Sequence, residues 1–398
     1  NMKVEWLKDK RKLAKYALIV LLAVCFTIFL WFYNQVDIVP LQNTEGTSYE
    51  KARVIRIIED NLLEDGTRAG SQTVEVQILS GEHKGETFEA QSLSGYLHGA
   101  VCTPGLDVTV YISESGDNVQ VSVYNYYRAP VLYLLVGAFL LILWIIGGKR
   151  GLKSAIGLIF TFVCIIFLYL PMLYRGVSPF IAAVVVVILT TIVTMYLIGG
   201  ATVKTLASVL GTVGGVIISG VVATVFGNLG HISGYNVSEI ETLISVEQVS
   251  GMQIGGLLFS GILIASLGAV MDVAMSVAST INEIYDQNPT HTMKTLFRSG
   301  INVGRDMMGT MSNTLILAFA GSSINTLVLT YSYAMPYNQI MNMYSIGIEI
   351  LQGISGTMGV ILTVPLVSFV SSWLVTRQKK SRTSHKSEKQ AMNPSNGI

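Results

Sequence analysis

Several runs of eighteen or more residues in this chain carry no charged side chain. At a rise of ~1.5 Å per residue, a helix of that length crosses a hydrocarbon core of about 30 Å. The runs read as eight transmembrane helices, at roughly 16–34, 129–147, 154–174, 178–200, 205–227, 253–281, 307–332 and 343–375. With 51% hydrophobic and 13% charged residues and a mean hydropathy of +0.54, an ordinary soluble protein is excluded.

Orientation follows from Lys and Arg. The run Lys8-Asp9-Lys10-Arg11-Lys12 precedes an apolar stretch that ends in Trp31-Phe32-Tyr33 and lacks a small-x-small cleavage site, so 1–34 is read as a basic N-terminus with an uncleaved anchor. Asn1 stands before Met2 and is left aside as a remnant. Placing the N-terminus inside puts 1–15, 147–153, Lys204, 283–306 and the tail from Arg377 in the cytoplasm, and the acid-rich segments 35–128 and 228–252 outside. Both termini are then cytoplasmic, as the positive-inside rule requires. The tail 377–398 is read as a disordered basic segment touching anionic lipid, with no nucleic-acid role. Cys25 and Cys164 lie in spans and Cys102 outside, which supplies no disulfide framework and no redox chemistry.

Segment 35–128 changes period. Arg53–Ile57, Thr73–Ile78, Glu86–Ala90, Asp107–Ile112 and Val119–Val123 alternate as half-buried strands do, and Gly81-Glu82-His83-Lys84-Gly85 reads as a hairpin turn. About five short strands predict a small closed barrel of the OB type, a pattern shared with small sandwiches. His83, His98 and Cys102 match no zinc spacing, so a lid, docking or assembly role is expected there in place of a metal.

Motifs for soluble catalysis are missing. There is no HExxH and no GxSxG; Gly147–Ser154 lacks the GK[ST] core of a phosphate loop; and Tyr285-Asp286 has no GxGD partner for aspartyl proteolysis. The chain is expected not to be an enzyme and to need no cofactor or metal.

What remains is polarity inside the spans. Gly261, Ala265, Gly268, Asp272, Ser276, Ser279 and Glu283 share one helical stripe, with Val270, Val273 and Val277 pointing elsewhere, so Asp272 is expected to face a packed or wet interior. Asp306, Thr310, Asn313, Leu317, Gly321 and Asn325 form a second stripe, and Glu349, Gln352, Gly353, Gly356, Val360 and Thr363 a third; the three are expected to meet. An ionised carboxylate at mid-bilayer costs about 2.5–3.5 kcal/mol, and no Lys or Arg lies in a helix centre to offset it. Asp272 is therefore read as a proton- or cation-loading centre, with Glu349 as its counterpart nearer the outer surface. The competing reading makes Asp272 a hydrogen-bonding lock to Ser276, Asn313 or a backbone carbonyl, and gives Ser276, Ser279, Thr310 and Asn313 roles as interhelical glue. The nearby Met271, Met275, Met307, Met308 and Met311 are read as adaptable filler before a copper site.

Gly211, Gly215, Ser219, Ala223 and Gly227 recur every four residues, a groove for close packing either within the protomer or between protomers. Ser238 with Glu241 reads as a capping box opening a surface helix over 238–249, and 289–304 as a separate interfacial helix.

The stretches 268-GAVMDVAMSVASTINEI-284 and 304-GRDMMGTMSNTLILAFAG-321 resemble the signature of the YibE/F family of bacterial membrane proteins, a similarity that spans roughly 129–375. The anchor and β-domain resemble its longer, YibE-type members. The resemblance implies a bacterial plasma-membrane location, and the glycine-rich faces suit a homo-oligomer or a related YibF-like partner chain. An acidic helix, a basic interfacial helix and a Thr/Ser/Asn-rich helix are also similar to the second half of a SecF-like or RND-type unit, which implies proton-linked transport. The expected fold is a polytopic α-helical membrane protein of domains 1–34, 35–128, 129–376 and 377–398, the second an extracytoplasmic OB-like insertion. Its expected function is proton- or cation-coupled export through Asp272, Thr310, Asn313 and Glu349, flanked by Ser276, Ser279 and Asp306. A non-transporting assembly subunit and a passive channel are the alternatives.

Overall fold

The computed structural model describes residues 2–391 apart from 37, 39, 42–43, 62, 64–69, 94–96 and 117, with backbone alone for 2–13, 15–16 and 378–391. Two compact units emerge, Pro40–Ile146 and the remainder.

In the first unit five strands close a barrel in the order β1-β2-β3-β5-β4, the OB arrangement: β1 Thr47–Glu59, β2 Ser71–Ile78, β3 Thr87–Leu93, β4 Asp107–Ser115 and β5 Asn118–Tyr126. Closure depends on β1. Its first half pairs with β4, its second half with β2, and register shifts after Val54 and Ile57 bend it between the two. All pairings are antiparallel except β3 with β5. The period of two then does the sorting: Val54, Val74, Val76, Ile78, Val108, Val110 and Ile112 point inward and are at most 1% exposed. Gln72 is buried with them because Cys102 N–H donates to its Oε1 at 2.8 Å, so Cys102 sits inside the barrel wall and not among surface ligands.

His83, in the β2–β3 turn, has Nδ1 2.8 Å from Glu86 Oε2 and Nε2 2.9 Å from Glu114 Oε1. The Glu114 and Glu86 carboxylates raise its pKa above the ordinary histidine value. A raised folded pKa contributes stability that is full below about pH 6.5 and is lost as pH climbs through the folded value. Thermal melts should therefore show a small fall in barrel stability between about pH 6 and pH 8. His83→Gln should flatten that slope.

The second unit is helical, comprising α1 Met2–Tyr33, part of α2 Ala129–Cys164, α3 Leu170–Tyr174, α4 Pro179–Gly199, α5 Val203–Leu229, α6 Ile240–Ser250, α7 Leu257–Gln287, α8 Met293–Ser322, α9 Ile324–Ser332, α10 Tyr337–Met341 and α11 Tyr344–Ala391. Among the described residues five helices are long and apolar enough to cross a membrane, or six if α8 and α9, bent by 61° at their junction, form one span. The count of eight from sequence differs for two reasons. The apolar part of α1, Ala17–Tyr33, falls below that length, and Ala129–Tyr174 is one continuous element by the same measure. Gly148 breaks the latter, with φ 53° and ψ −134°, where the sequence places a polar connection.

The four-residue groove of α5 is internal. A Cβ on Gly211 would lie 2.8 Å from Val367 Cβ, one on Gly215 would strike Thr363 Oγ1 and stand 2.9 Å from Val270 Cγ1, and Ala223 is fully buried. Ser219 Oγ donates to the Ser355 carbonyl at 2.8 Å. Small residues thus let α5 approach α7 and α11 closely enough for backbone and side chain to interlock.

Three further expectations change. The Ser238 capping box does not form: α6 starts at Ile240 without a side-chain cap, and the capping box belongs to Ser233 and Asn236 in the turn before it. The interfacial helix over 289–304 is not separate, because α8 contains no proline and runs unbroken through Gly300, Gly304 and Gly309 into the span. Likewise α11 continues to Ala391 through most of the stretch read as disordered, which contains no Gly or Pro before Asn393; residues from 392 lie outside the described set.

Candidate functional site

Helix α7 turns the opposite way from the sequence expectation. Val270, Val273, Ala274, Val277, Ala278 and Ile281 are fully buried, whereas Gly261, Ala265, Gly268, Asp272 and Glu283 are exposed and Ser276 and Ser279 half-buried. The reason is shape: Val270 seats on the Cα of Gly215, and Ile281 on Gly300, positions that only the apolar ridge can fill. Asp272 therefore does not face the core of its own protomer.

The neighbouring α8 behaves alike. Leu296, Gly300, Gly304 and Leu315 are buried, and Asp306, Thr310, Asn313, Leu317, Gly321 and Asn325 are exposed. Two packing contacts set the relative heights of the antiparallel pair. A Cβ on Gly300 would lie 2.7 Å from Ile281 Cδ1, and one on Gly356 of α11 would lie 2.8 Å from Leu315 Cδ2 and 3.6 Å from Ser266 Cβ. Residue 281 is thus level with 300, and 266 with 315. By that register Asp272 is level with Gly309 and Thr310, Gly268 with Asn313, and Asp306 lies one turn from Asp272 toward the α7–α8 connection.

The polar positions of α7 and α8 are therefore brought to one height on adjoining helices. Among the described residues no side-chain hydrogen bond or ion pair engages Asp272, and the Thr310 hydroxyl donates within its own helix, to the Asp306 carbonyl at 3.4 Å. Asp272 is accordingly not locked to Ser276 or Asn313.

The third stripe does not join them. Gly353, Gly356, Val360 and Thr363 are buried in the contact of α11 with α5, α7 and α8. Glu349 is half-buried, its Oε2 without a hydrogen-bond partner, fourteen positions before Thr363, or about 21 Å at ~1.5 Å per residue. It cannot touch Asp272. The five methionines 271, 275, 307, 308 and 311 are all half-buried, Met275 against α5 with its Sδ 3.7 Å from Ser208 Oγ, and flexible thioethers fill irregular space.

On the barrel, an outward row unmarked by any motif gathers three tyrosines. Tyr49 pairs across strands with Tyr111, their rings 5.2 Å apart, and Tyr124 stands edge-on to Tyr49 at 5.0 Å. With Gln91, His98 and Ser122 they line a cleft of about 450 Å³. Among the described residues, no group of three His, Cys, Asp or Glu could hold a metal ion.

A family model described as YibE/F-like protein matches residues 135–377, the helical part of the chain. No curated protein and no solved structure matches it.

Proposed function

Because the chain belongs to the YibE/F-like family and is a membrane protein whose two polar helix faces meet at the height of one free carboxylate, we propose that it is an ion-coupled transporter with Asp272 as the loading centre. In this reading the chain crosses a bacterial plasma membrane eight times with both termini cytoplasmic, the α2 break at Gly148 separating two crossings. The barrel stands outside as gate or dock. Export driven by a proton or cation gradient is the coupling.

The observation that carries the proposal is the shared height of Asp272 and Thr310, with Asp306 one turn away and Asp272 bonded to nothing among the described residues of its protomer. An unpaired carboxylate at that depth is expensive unless it binds a proton, a cation or water, and such groups mark conduction pathways. Ser276, Ser279 and Asn313 extend the polar track, and Glu349 marks a separate station toward the other end.

The test is a thermal-stability screen of the purified protein against ions, metals and small metabolites across pH, on wild type and Asp272→Asn together. Binding stabilises by mass action. A ligand- or pH-dependent shift seen in wild type alone supports the reading; superimposable curves overturn it. The tyrosine cleft favours a second reading, an assembly subunit that recognises a partner through its barrel. Loss of function on Tyr49→Ala and Tyr124→Ala, with none on Asp272→Asn, selects that one.

A further inference from the structure

The open face of α7 and α8 poses a problem that its own protomer does not solve. A hydrocarbon surface offers no hydrogen bonds, yet this face presents Asp272, Asp306, Thr310 and Asn313 outward. Its glycines are equally bare: a Cβ on Gly261, Gly268, Gly309 or Gly321 would meet nothing within 4 Å. On the buried side every helical glycine of α8 has a neighbour, Val364 at Gly304 and Ile281 at Gly300. Polar groups and empty glycine notches together describe a helix-packing surface without its partner.

Charge identifies the partner. The exposed ionisable residues of α7 are all acidic, namely Asp272, Glu283 and Asp286, while those of α8 are Lys294, Arg298 and Arg305 with one acid, Asp306. Among the described residues none of these forms an ion pair within the protomer. Height is matched as well as sign. Arg298 lies two positions before Gly300 and Glu283 two positions after Ile281, the residues in contact, so Glu283 and Arg298 stand level on an antiparallel pair. A two-fold axis along the membrane normal preserves height and exchanges the helices. It lays acidic α7 on the basic α8 of the second copy, Glu283 facing Arg298 and Asp272 facing the Gly309–Thr310 notch.

We infer that a second copy of this chain covers the α7–α8 face, two hairpins packing about a two-fold axis so that each Asp272 is enclosed between protomers. An enclosed groove between two copies removes Asp272, Thr310 and Asn313 from lipid without burying them in a protomer core. This goes beyond transport and stands on the packing and charge of the face alone.

Two differently tagged full-length copies, co-expressed and extracted in mild detergent, supply the test. Wild-type copies co-purify. Glu283→Arg alone, or Arg298→Glu alone, places like charges at both symmetric contacts and lowers co-purification several-fold. Co-expression of one Glu283→Arg copy with one Arg298→Glu copy restores both contacts and recovers the wild-type yield. Rescue confined to the double variant in one chain, and absent on co-expression, would place the pairing inside the protomer and overturn the inference.

A second pair of variants avoids the charges. Gly268→Leu and Gly309→Leu fill notches that are open in the protomer, so each leaves expression and monodispersity intact while co-purification falls to background. Unchanged co-purification of these variants overturns the inference, as does a wild-type copy that is recovered alone or only with a different chain.

Discussion

Asp272→Asn in proteoliposomes is expected to reduce gradient-driven flux to background while the protein remains folded. The substitution keeps shape and hydrogen-bonding capacity and removes the ionisable proton. An ionised carboxylate at mid-bilayer costs about 2.5–3.5 kcal/mol, so the neutral amide should leave thermal stability unchanged or raise it by up to that amount. A structural hydrogen-bond hub behaves in the opposite way: losing one charged acceptor costs ~1.5–3 kcal/mol and flux falls only as far as folded protein does. Flux and melting temperature measured on the same preparation separate the two. Retained flux with lowered stability would sink the transport role of Asp272.

The second large effect is expected at Gly215→Leu. Even the Cβ of the new side chain would strike Thr363 Oγ1 and stand 2.9 Å from Val270 Cγ1, and the Gly215 carbonyl lies so close to Gly359 that a Cβ there would be 2.8 Å away. Side chains of α11 and α7 hem the site, and α5 and α11 already approach closely at Gly359, so relief requires separating α5 from α11. Overpacking by a methylene or two costs about 1–3 kcal/mol in a well-filled core, and a whole isobutyl group should exceed that. Membrane yield and melting temperature should both collapse for Gly215→Leu. Leu at Gly268, where a Cβ meets nothing within 4 Å, should leave the protomer's melt in place. Equal melts for the two variants would contradict the packing described for α5.

These two glycines show what could and could not be read from sequence. The four-residue repeat from Gly211 to Gly227 announces close packing, but a repeat carries no address, and whether its partner is α11 or another protomer depends on residues such as Ser355 and Thr363 more than a hundred positions away. The barrel was more legible. Alternation in Thr73–Ile78 and Asp107–Ile112 fixes which side chains face inward, and a five-stranded ring follows once β1 bends. Polarity alone predicts the wrong orientation for α7, since a polar stripe is expected to point inward. In this protomer the apolar ridge of Val270, Val273 and Val277 points inward instead, with Val270 seated on Gly215 of α5. Heptad-like spacing identifies a stripe, and tertiary fit chooses its direction. The tyrosine row has no sequence signature for a similar reason: Tyr49, Tyr111 and Tyr124 are scattered in sequence and become neighbours only through strand register.

The 61° bend between α8 and α9 carries an electrostatic consequence. Peptide dipoles aligned along a thirty-residue helix leave roughly half a negative charge at its C-terminal end. An unbroken span would carry that pole to the aqueous boundary, where water screens it. Because α8 stops at Ser322 and α9 departs at an angle, the pole ends at Ser322, three positions before Asn325. Half-helix ends of this sign attract cations and repel anions at close range. In the transport reading proposed above, the break would give this end of the track a cation preference supplied by backbone.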